Sequence, residues 1–175
     1  MMVLVTGGSG SGKSAYAEQK VVDFGEACRI YIATMYPFDE ESHNRIKRHR
    51  EMRAGKGFET LECYTGLKNT EIEPDSVVLL ECMSNLVANE MFQPDGAGVH
   101  TVEEILQGVL ALKRKARHLV IVTNEIFSAS ASYDKEMETY LDYLGCINQE
   151  LEELADEVTE VVYGIPVYHK RGQEE

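Results

Sequence analysis

Short apolar runs alternate with longer, more polar segments along this chain. The runs at 3–6, 29–34, 76–81 and 118–123 are nearly continuous, which is typical of strands that are covered on both faces. The segments between them carry the composition and end signals of helices. We therefore predict strands at 3–6, 29–34, 58–63, 76–81, 118–123 and 158–163, and helices at 13–24, 39–53, 84–92, 101–117 and 134–155.

Strands that alternate with helices predict an α/β fold, with one mostly parallel sheet and helices on both of its faces. After the strand at 158–163, Gly164 and Pro166 predict a turn into a last short strand that ends near His169. This strand would be a small antiparallel addition at the C-terminal end. Asp39 is the predicted N-cap of the second helix, and Thr101 with Glu104 predicts a capping box for the fourth.

Composition predicts one domain over residues 1–175, because 43% of the residues are hydrophobic, 27% are charged, and no linker or repeat interrupts the pattern. The apolar runs are too short to span a bilayer, and no signal-peptide pattern is present, so we expect a cytoplasmic protein. The four cysteines form no C-x-x-C pair and are expected to be reduced thiols. A formal net charge of -13 argues against a nucleic-acid-binding face.

A glycine-rich stretch directly after the first predicted strand carries the clearest chemistry. Gly7, Gly12, Lys13 and Ser14 fit the phosphate-binding pattern G-x-x-x-x-G-K-[ST]. Its glycines let backbone N–H groups point at phosphate oxygens, Lys13 can reach the β- and γ-phosphates, and Ser14 can ligate Mg²⁺. A flexible Gly/Ser turn is the alternative, but the strand before and the helix after it favour a nucleotide site.

Several residues with candidate chemistry lie at or just past the ends of predicted strands, where ligands of such sheets collect. Gly7, Thr34, Glu81 and Asn124 all occupy such positions. Glu81 ends a buried strand, as the Mg²⁺-associated acid of many phosphate-loop proteins does, so it could ligate or orient the ion beside Ser14. Its alternative role is to cap the following helix.

A histidine in a basic segment is the second chemical candidate. Arg45, His49 and Arg53 are four residues apart and share one face of the predicted helix. An imidazole nitrogen among guanidinium groups could attack the α-phosphate of a nucleotide. From the residues alone, a solvated histidine remains the open alternative. Zinc is disfavoured, because His43 and His49 are six apart and no cysteine pair lies nearby.

The chain resembles the bifunctional adenosylcobinamide kinase / adenosylcobinamide-phosphate guanylyltransferases of cobalamin biosynthesis. The resemblance covers almost the whole length and keeps the order of the family's motifs. Its blocks are Val3-Leu4-Val5-Thr6-Gly7-Gly8 with Ser11-Gly12-Lys13-Ser14, Tyr31-Ile32-Ala33-Thr34, Arg45-Ile46 with His49 and Arg53, Thr60 and Glu62, Leu79-Leu80-Glu81-Cys82, Val122-Thr123-Asn124-Glu125, Gly145 with Asn148-Gln149, and Ala155-Asp156-Glu157-Val158.

This resemblance implies a phosphate-loop NTPase-like, RecA-like fold and two reactions. A nucleoside triphosphate, GTP or ATP, phosphorylates the hydroxyl of adenosylcobinamide, and GMP then passes from GTP to that phosphate through a GMP–histidine intermediate. It implies that His49 and Lys13 are catalytic, that Mg²⁺ is held at Ser14 and Glu81, that the acceptor is a corrinoid, and that the protein is a small homo-oligomer. The implied nucleotide-binding residues are Gly7, Gly8, Ser9, Gly10, Ser11, Gly12, Lys13, Ser14, Ala33, Thr34, Met35, Arg50, Glu51, Met52, Arg53, Glu62 and Glu81.

One segment departs from the family pattern. After Asn124-Glu125 the family continues into a Gly-rich stretch with Val-Pro and an Arg-rich helix, whereas this chain has other residues at 126–133 and no arginine at 141–145. We expect that segment to face the corrinoid or a neighbouring subunit. The departure leaves two alternatives open: a small-molecule kinase without guanylyl transfer, and a non-catalytic nucleotide-binding regulatory module.

Overall fold

The computed structural model describes residues 1–126 and 134–172. Its centre is a seven-stranded sheet in the order β3-β2-β4-β5-β1-β6-β7. The strands are β1 (Met2–Thr6), β2 (Arg29–Ala33), β3 (Phe58–Glu62), β4 (Val77–Glu81), β5 (His118–Val122), β6 (Glu157–Val162) and β7 (Ile165–Lys170). The helices are α1 (Lys13–Asp23), α2 (Glu40–Arg53), α3 (Met83–Phe92), α4 (Thr101–Lys115) and α5 (Lys135–Leu154).

Strand pairing follows the predicted pattern. The strands from β3 to β6 pair in parallel across the sheet, and β7 pairs with β6 in antiparallel fashion through the turn at Tyr163 and Gly164. The predicted strands and helices all form, with ends that differ by one or two residues. The mostly parallel α/β sheet with a small antiparallel C-terminal addition is therefore confirmed.

Two apolar layers cover the sheet, one on each face. On one face, α3, α4 and α5 bury a large cluster against residues such as Leu4, Leu80 and Ile121. On the other face, α1 packs Ala17 and Val21 against the opposite side chains of the same strands. Side chains alternate between the two faces along each strand and so supply both layers, which explains why the central strands are apolar at every position except strand ends such as Thr6, Glu81 and His118.

Helix α2 is different from the other four, because its buried residues are Ser42 and Arg53. Asp39 caps it as predicted: its carboxylate accepts a hydrogen bond from the Ser42 amide at 2.6 Å. The helix therefore begins for a local reason, and its polar length is held to the sheet by specific side-chain contacts rather than by an apolar stripe.

The predicted capping box of α4 is wrong. A short 3₁₀ turn at Gly98–His100 precedes the helix, so Thr101 is already its first residue. The Thr101 hydroxyl donates to the Gly98 carbonyl at 2.6 Å, and Glu104 pairs with Lys68 instead of the helix start. The helix therefore continues directly from the 3₁₀ turn, and the Thr101 side chain does not cap it.

Within the two described ranges, no helix is both long and apolar enough to cross a membrane.

Candidate active site

Glycines build the phosphate loop between β1 and α1. Gly7 has a φ of 149°, and a Cβ placed on it would lie 2.5 Å from the Val161 carbonyl oxygen. Gly12 precedes α1 with a φ of 93°, a conformation that other residues adopt only with strain. The C-terminal hairpin supports the loop from behind, because the Gly164 amide donates to the Ser11 carbonyl at 2.7 Å.

Lys13 lies at the start of α1, folded back over the loop. Its Nζ donates to the Gly8 carbonyl at 2.9 Å, and the side chain is buried. Burial lowers the pKa of Lys13 below its ordinary value, while Cys82 and Glu81 act in the opposite direction. The ammonium group and the N-terminal end of α1 together form a site suited to an anion.

Glu81 stands at the carboxyl end of β4, opposite Ser14. The Ser14 hydroxyl donates to Oε1 of Glu81, while Oε2 is buried without a hydrogen-bond partner among the described residues. The carboxylate thus turns toward the phosphate loop rather than toward the first turn of α3, whose N-cap is Cys82. The alternative that Glu81 caps the next helix is therefore wrong.

Thr34 holds the strand end that carries Glu81. Its hydroxyl accepts from the Cys82 amide at 2.8 Å and donates to the Cys82 carbonyl at 2.9 Å. The amide of Asn89 donates in turn to the Thr34 carbonyl at 2.8 Å. Because Thr34 is fully buried, its side chain fixes the backbone behind the cleft and does not face the cleft itself.

His49 approaches the phosphate loop through the same carboxylate. Its Nδ1 lies 3.5 Å from Oε1 of Glu81 and 3.5 Å from the hydroxyl oxygen of Tyr31. One carboxylate oxygen therefore stands between Ser14 and His49. No displacement of α2 is needed to bring the histidine to the loop.

Tyr31 lies under α2 and contacts two of its residues. The guanidinium carbon of Arg53 is 3.4 Å from the centroid of the tyrosine ring, and Nη2 of Arg53 donates to the Thr60 hydroxyl at 3.3 Å. Burial raises the pKa of Tyr31 well above its ordinary value, so its hydroxyl stays protonated at neutral pH. Arg45, His49 and Arg53 do share one face of the helix, as the spacing predicts.

These elements enclose a cleft of about 610 Å³, a size that suits a nucleotide-sized ligand. Five cationic side chains and three carboxylates line it, so the cleft is locally positive in a chain of net charge -13. The cations are Lys13, Arg45, Arg48, Arg50 and Arg53, and the acids are Glu41, Glu62 and Glu81. This local excess favours a triphosphate despite the overall charge.

Most of the predicted site residues meet in this cleft. Those that line it are Ser9, Gly10, Ser11, Gly12, Lys13, Ser14, Ala33, Met35, His49, Arg50, Met52, Arg53, Glu62 and Glu81. Gly7 and Gly8 shape the loop from behind, Thr34 is buried, and Glu51 is exposed outside the cleft. The structure therefore does not bring Thr34 and Glu51 to the ligand space.

Several residues that line the cleft were not in the predicted site. Tyr64 and Asn85 carry no signal beyond their place after a strand and in a helix, and Tyr31 stands in a block of the family resemblance without an assigned role. Asn124 is indicated by its place after β5 and Arg45 by its spacing from His49, and both also stand in blocks of the family resemblance. Within the departing segment at 126–133, which we expect to face the corrinoid or a neighbouring subunit, residues 127–133 lie outside the described residues.

A glycine-rich phosphate loop with a lysine, a serine and a strand-end acid defines a nucleotide-using phosphate-loop protein. The particular family follows from the sequence comparison. The family model described as CobU, cobinamide kinase / cobinamide phosphate guanyltransferase, matches residues 3–168, and the chain belongs to this family.

Two relatives support this membership over nearly their whole length. The chain is 34% identical over 181 residues to the bifunctional adenosylcobalamin biosynthesis protein CobU of Escherichia coli K12, covering 95% of this chain and 98% of the relative. It is 29% identical over 170 residues to the corresponding protein CobP of Pseudomonas aeruginosa, with coverages of 95% and 96%. The resemblance inferred from the motifs is confirmed.

Solved structures extend the likeness of fold. The flagellar accessory protein FlaH of Methanocaldococcus jannaschii matches with a TM-score of 0.52 over 98% of this chain and 78% of its own. A type III secretion ATPase of pathogenic bacteria matches with a TM-score of 0.54 over 95% and 56%. Both are only 10% identical, so they show the RecA-like phosphate-loop fold alone.

Proposed function

We propose that this chain performs two successive reactions in the cleft between the phosphate loop and α2. In the first, a nucleoside triphosphate phosphorylates the terminal hydroxyl of adenosylcobinamide. In the second, GMP passes from GTP to the new phosphate through His49. The observation that carries this proposal is that Glu81 lies between Ser14 and His49, which links the phosphate loop to the nucleophile.

The first reaction is assigned to the phosphate-loop side of the cleft. Backbone N–H groups of the loop and Lys13 would hold the phosphate oxygens and stabilise the charge that develops during transfer. Ser14 and Glu81 would hold Mg²⁺ together with nucleotide oxygens, and their hard oxygen atoms, including the unpaired Oε2, suit that ion. When bound, Mg²⁺ would neutralise phosphate charge.

The second reaction is assigned to His49 and its cationic neighbours. A neutral imidazole nitrogen would attack the α-phosphorus of GTP, the bond to the β-phosphate would break, and pyrophosphate would leave. Arg45 and Arg50, which line the same cleft, would stabilise the developing negative charge. A phosphate oxygen of the acceptor would then displace the histidine and regenerate it.

Mass spectrometry of the intact protein tests this proposal. After incubation with GTP and Mg²⁺, the wild type should gain the mass of one guanylyl group (GMP less one water), and His49→Ala should gain none while still binding GTP. His43→Ala is the matched control, because His43 is exposed on the same helix and lies outside the cleft. An undiminished adduct on His49→Ala would remove His49 from the reaction. No adduct on wild-type protein that binds GTP would favour the kinase without guanylyl transfer.

We also propose that the chain acts as one domain in the cytoplasm, as its composition and sequence pattern predict, and as a homo-oligomer, as the family resemblance implies. Light scattering after size-exclusion chromatography tests the assembly, because a monomeric mass at all concentrations would contradict it.

A further inference from the structure

We propose that Tyr31 and Glu81 orient His49 through its Nδ1, so that Nε2 is the nitrogen that receives GMP. Tyr31 is then a positioning residue of the guanylyl transfer, acting through His49 rather than touching the nucleotide. This inference rests on the proposed function, and it adds the reacting atom, Nε2, and the two residues that orient the ring.

The geometry around the imidazole distinguishes its two nitrogens. Nδ1 has two oxygen atoms at 3.5 Å, one from Glu81 and one from Tyr31. Nε2 has no partner among the described residues. Because the two ring nitrogens diverge, a ring that turns Nδ1 toward these oxygens directs Nε2 away from them. The contacts are longer than an ordinary hydrogen bond, as is common before a substrate tightens a site.

Tyr31 is placed to fix both the ring and the helix that carries it. It is only 4% exposed on β2, and its ring meets Phe58 edge to face at 6.3 Å. Its hydroxyl faces His49, and its ring lies beneath the guanidinium of Arg53, which is one turn further along α2 than His49. Because α2 buries so little apolar surface, such contacts fix which of its faces is turned toward the cleft.

The transfer step follows from this orientation. With its proton on Nδ1 held toward the Glu81 carboxylate, the ring presents a lone pair at Nε2. That pair forms the bond to the α-phosphorus, and the phosphorus–oxygen bond to the β-phosphate breaks as pyrophosphate leaves with its electrons. The positive charge that appears on the ring is balanced by Glu81. In the return step the acceptor oxygen bonds to phosphorus, and the electron pair returns to Nε2.

The linkage itself gives the first test. Protein labelled with ¹⁵N in its histidines is incubated with GTP and Mg²⁺, and phosphorus–nitrogen coupling is read by NMR. We expect coupling to Nε2 of His49. Coupling to Nδ1 would overturn this inference and leave the proposed function standing. A wild-type protein that forms no adduct would overturn the proposed function, and this inference with it.

Tyr31→Phe gives the second test, because it removes the hydroxyl and keeps the ring beneath Arg53. We expect adduct formation to slow about tenfold, a much larger change than in GTP affinity or in the kinase rate. Tyr16→Phe is the control, since Tyr16 lies on α1 outside the cleft. An unchanged adduct rate, or an equal loss in both reactions, would overturn the positioning role.

Discussion

The two sides of the cleft are built by different physics. The phosphate loop grows out of β1, where Met2, Val3 and Val5 are fully buried, and each such side chain contributes about 1.5–3 kcal/mol by burial. Across the cleft, α2 is held by polar contacts and by the cation–π contact of Arg53 with Tyr31, which contributes about 2 kcal/mol because both side chains are buried. The phosphate loop is therefore rigidly built, while His49 stands on a helix that buries little apolar surface.

An ion pair with one buried partner, just after α2, strengthens that attachment. Lys56, in the loop after the helix, lies 2.6 Å from Glu18 of α1, whose side chain is fully buried. Arg29 donates to the Lys56 carbonyl at 2.7 Å and fixes the same loop from β2. Among the described residues, α2 is thus anchored mainly at its C-terminal end, near His49.

The largest expected effect is on the rigid side. Lys13→Ala removes an ammonium group from the anion site, so triphosphate affinity should fall roughly a hundredfold in calorimetry. Both proposed reactions would slow, whereas the loss of His49 would stop only the guanylyl transfer. Lys47→Ala is the control, because Lys47 is exposed and does not line the cleft. An affinity unchanged by Lys13→Ala would separate the phosphate loop from the nucleotide.

A smaller effect is expected at the anchor of α2. Lys56→Met leaves the Glu18 charge buried without its cation, which should lower the free energy of unfolding by about 2 kcal/mol in urea, since Lys56 is partly exposed. The guanylylation rate should fall more than triphosphate affinity does. Adding Glu18→Gln should restore most of the stability. A double variant as unstable as the single one would show that the ion pair is not the anchor.

The smallest effect concerns the other end of α2. The Ser42 amide lowers the pKa of Asp39 from its ordinary value of 3.8, so the cap stabilises the helix above that pH and is lost as pH falls through the lower folded value. Hydrogen exchange of α2 should therefore separate wild type from Asp39→Ala at pH 7 and much less in strong acid. The other carboxylates are the same in wild type and in Asp39→Ala, so they do not cause the difference between the two proteins. A difference in hydrogen exchange that does not change with pH would therefore contradict the Asp39 cap as its origin.

The sequence predicted the rigid side well, because its rules are local. A strand, a run of glycines with one lysine, and a strand-end acid specify their own geometry, and Gly7, Lys13 and Glu81 lie together as their positions imply. The start of α2 was also predictable, since Asp39 acts within its own turn.

What the sequence could not give arises from contacts between distant segments. Tyr31 is one apolar residue of a buried strand until α2 folds over it, and then it contacts both His49 and Arg53. Thr34 lies just past the end of β2, where a ligand-binding residue is expected, but its hydroxyl is hydrogen-bonded to the Cys82 backbone. Motif position alone does not say which way a side chain turns.

The bond from Gly164 to Ser11 has a consequence for the order in which the molecule is made. The loop that opens the chain is completed by a hairpin near its other end, and β1 lies in the sheet between β5 and β6, which are synthesised long after it. During translation, the motif at residues 7–14 leaves the ribosome before these strands do, so it reaches its final geometry only after they have emerged. We therefore expect nascent chains to become nucleotide-responsive only once the hairpin has emerged.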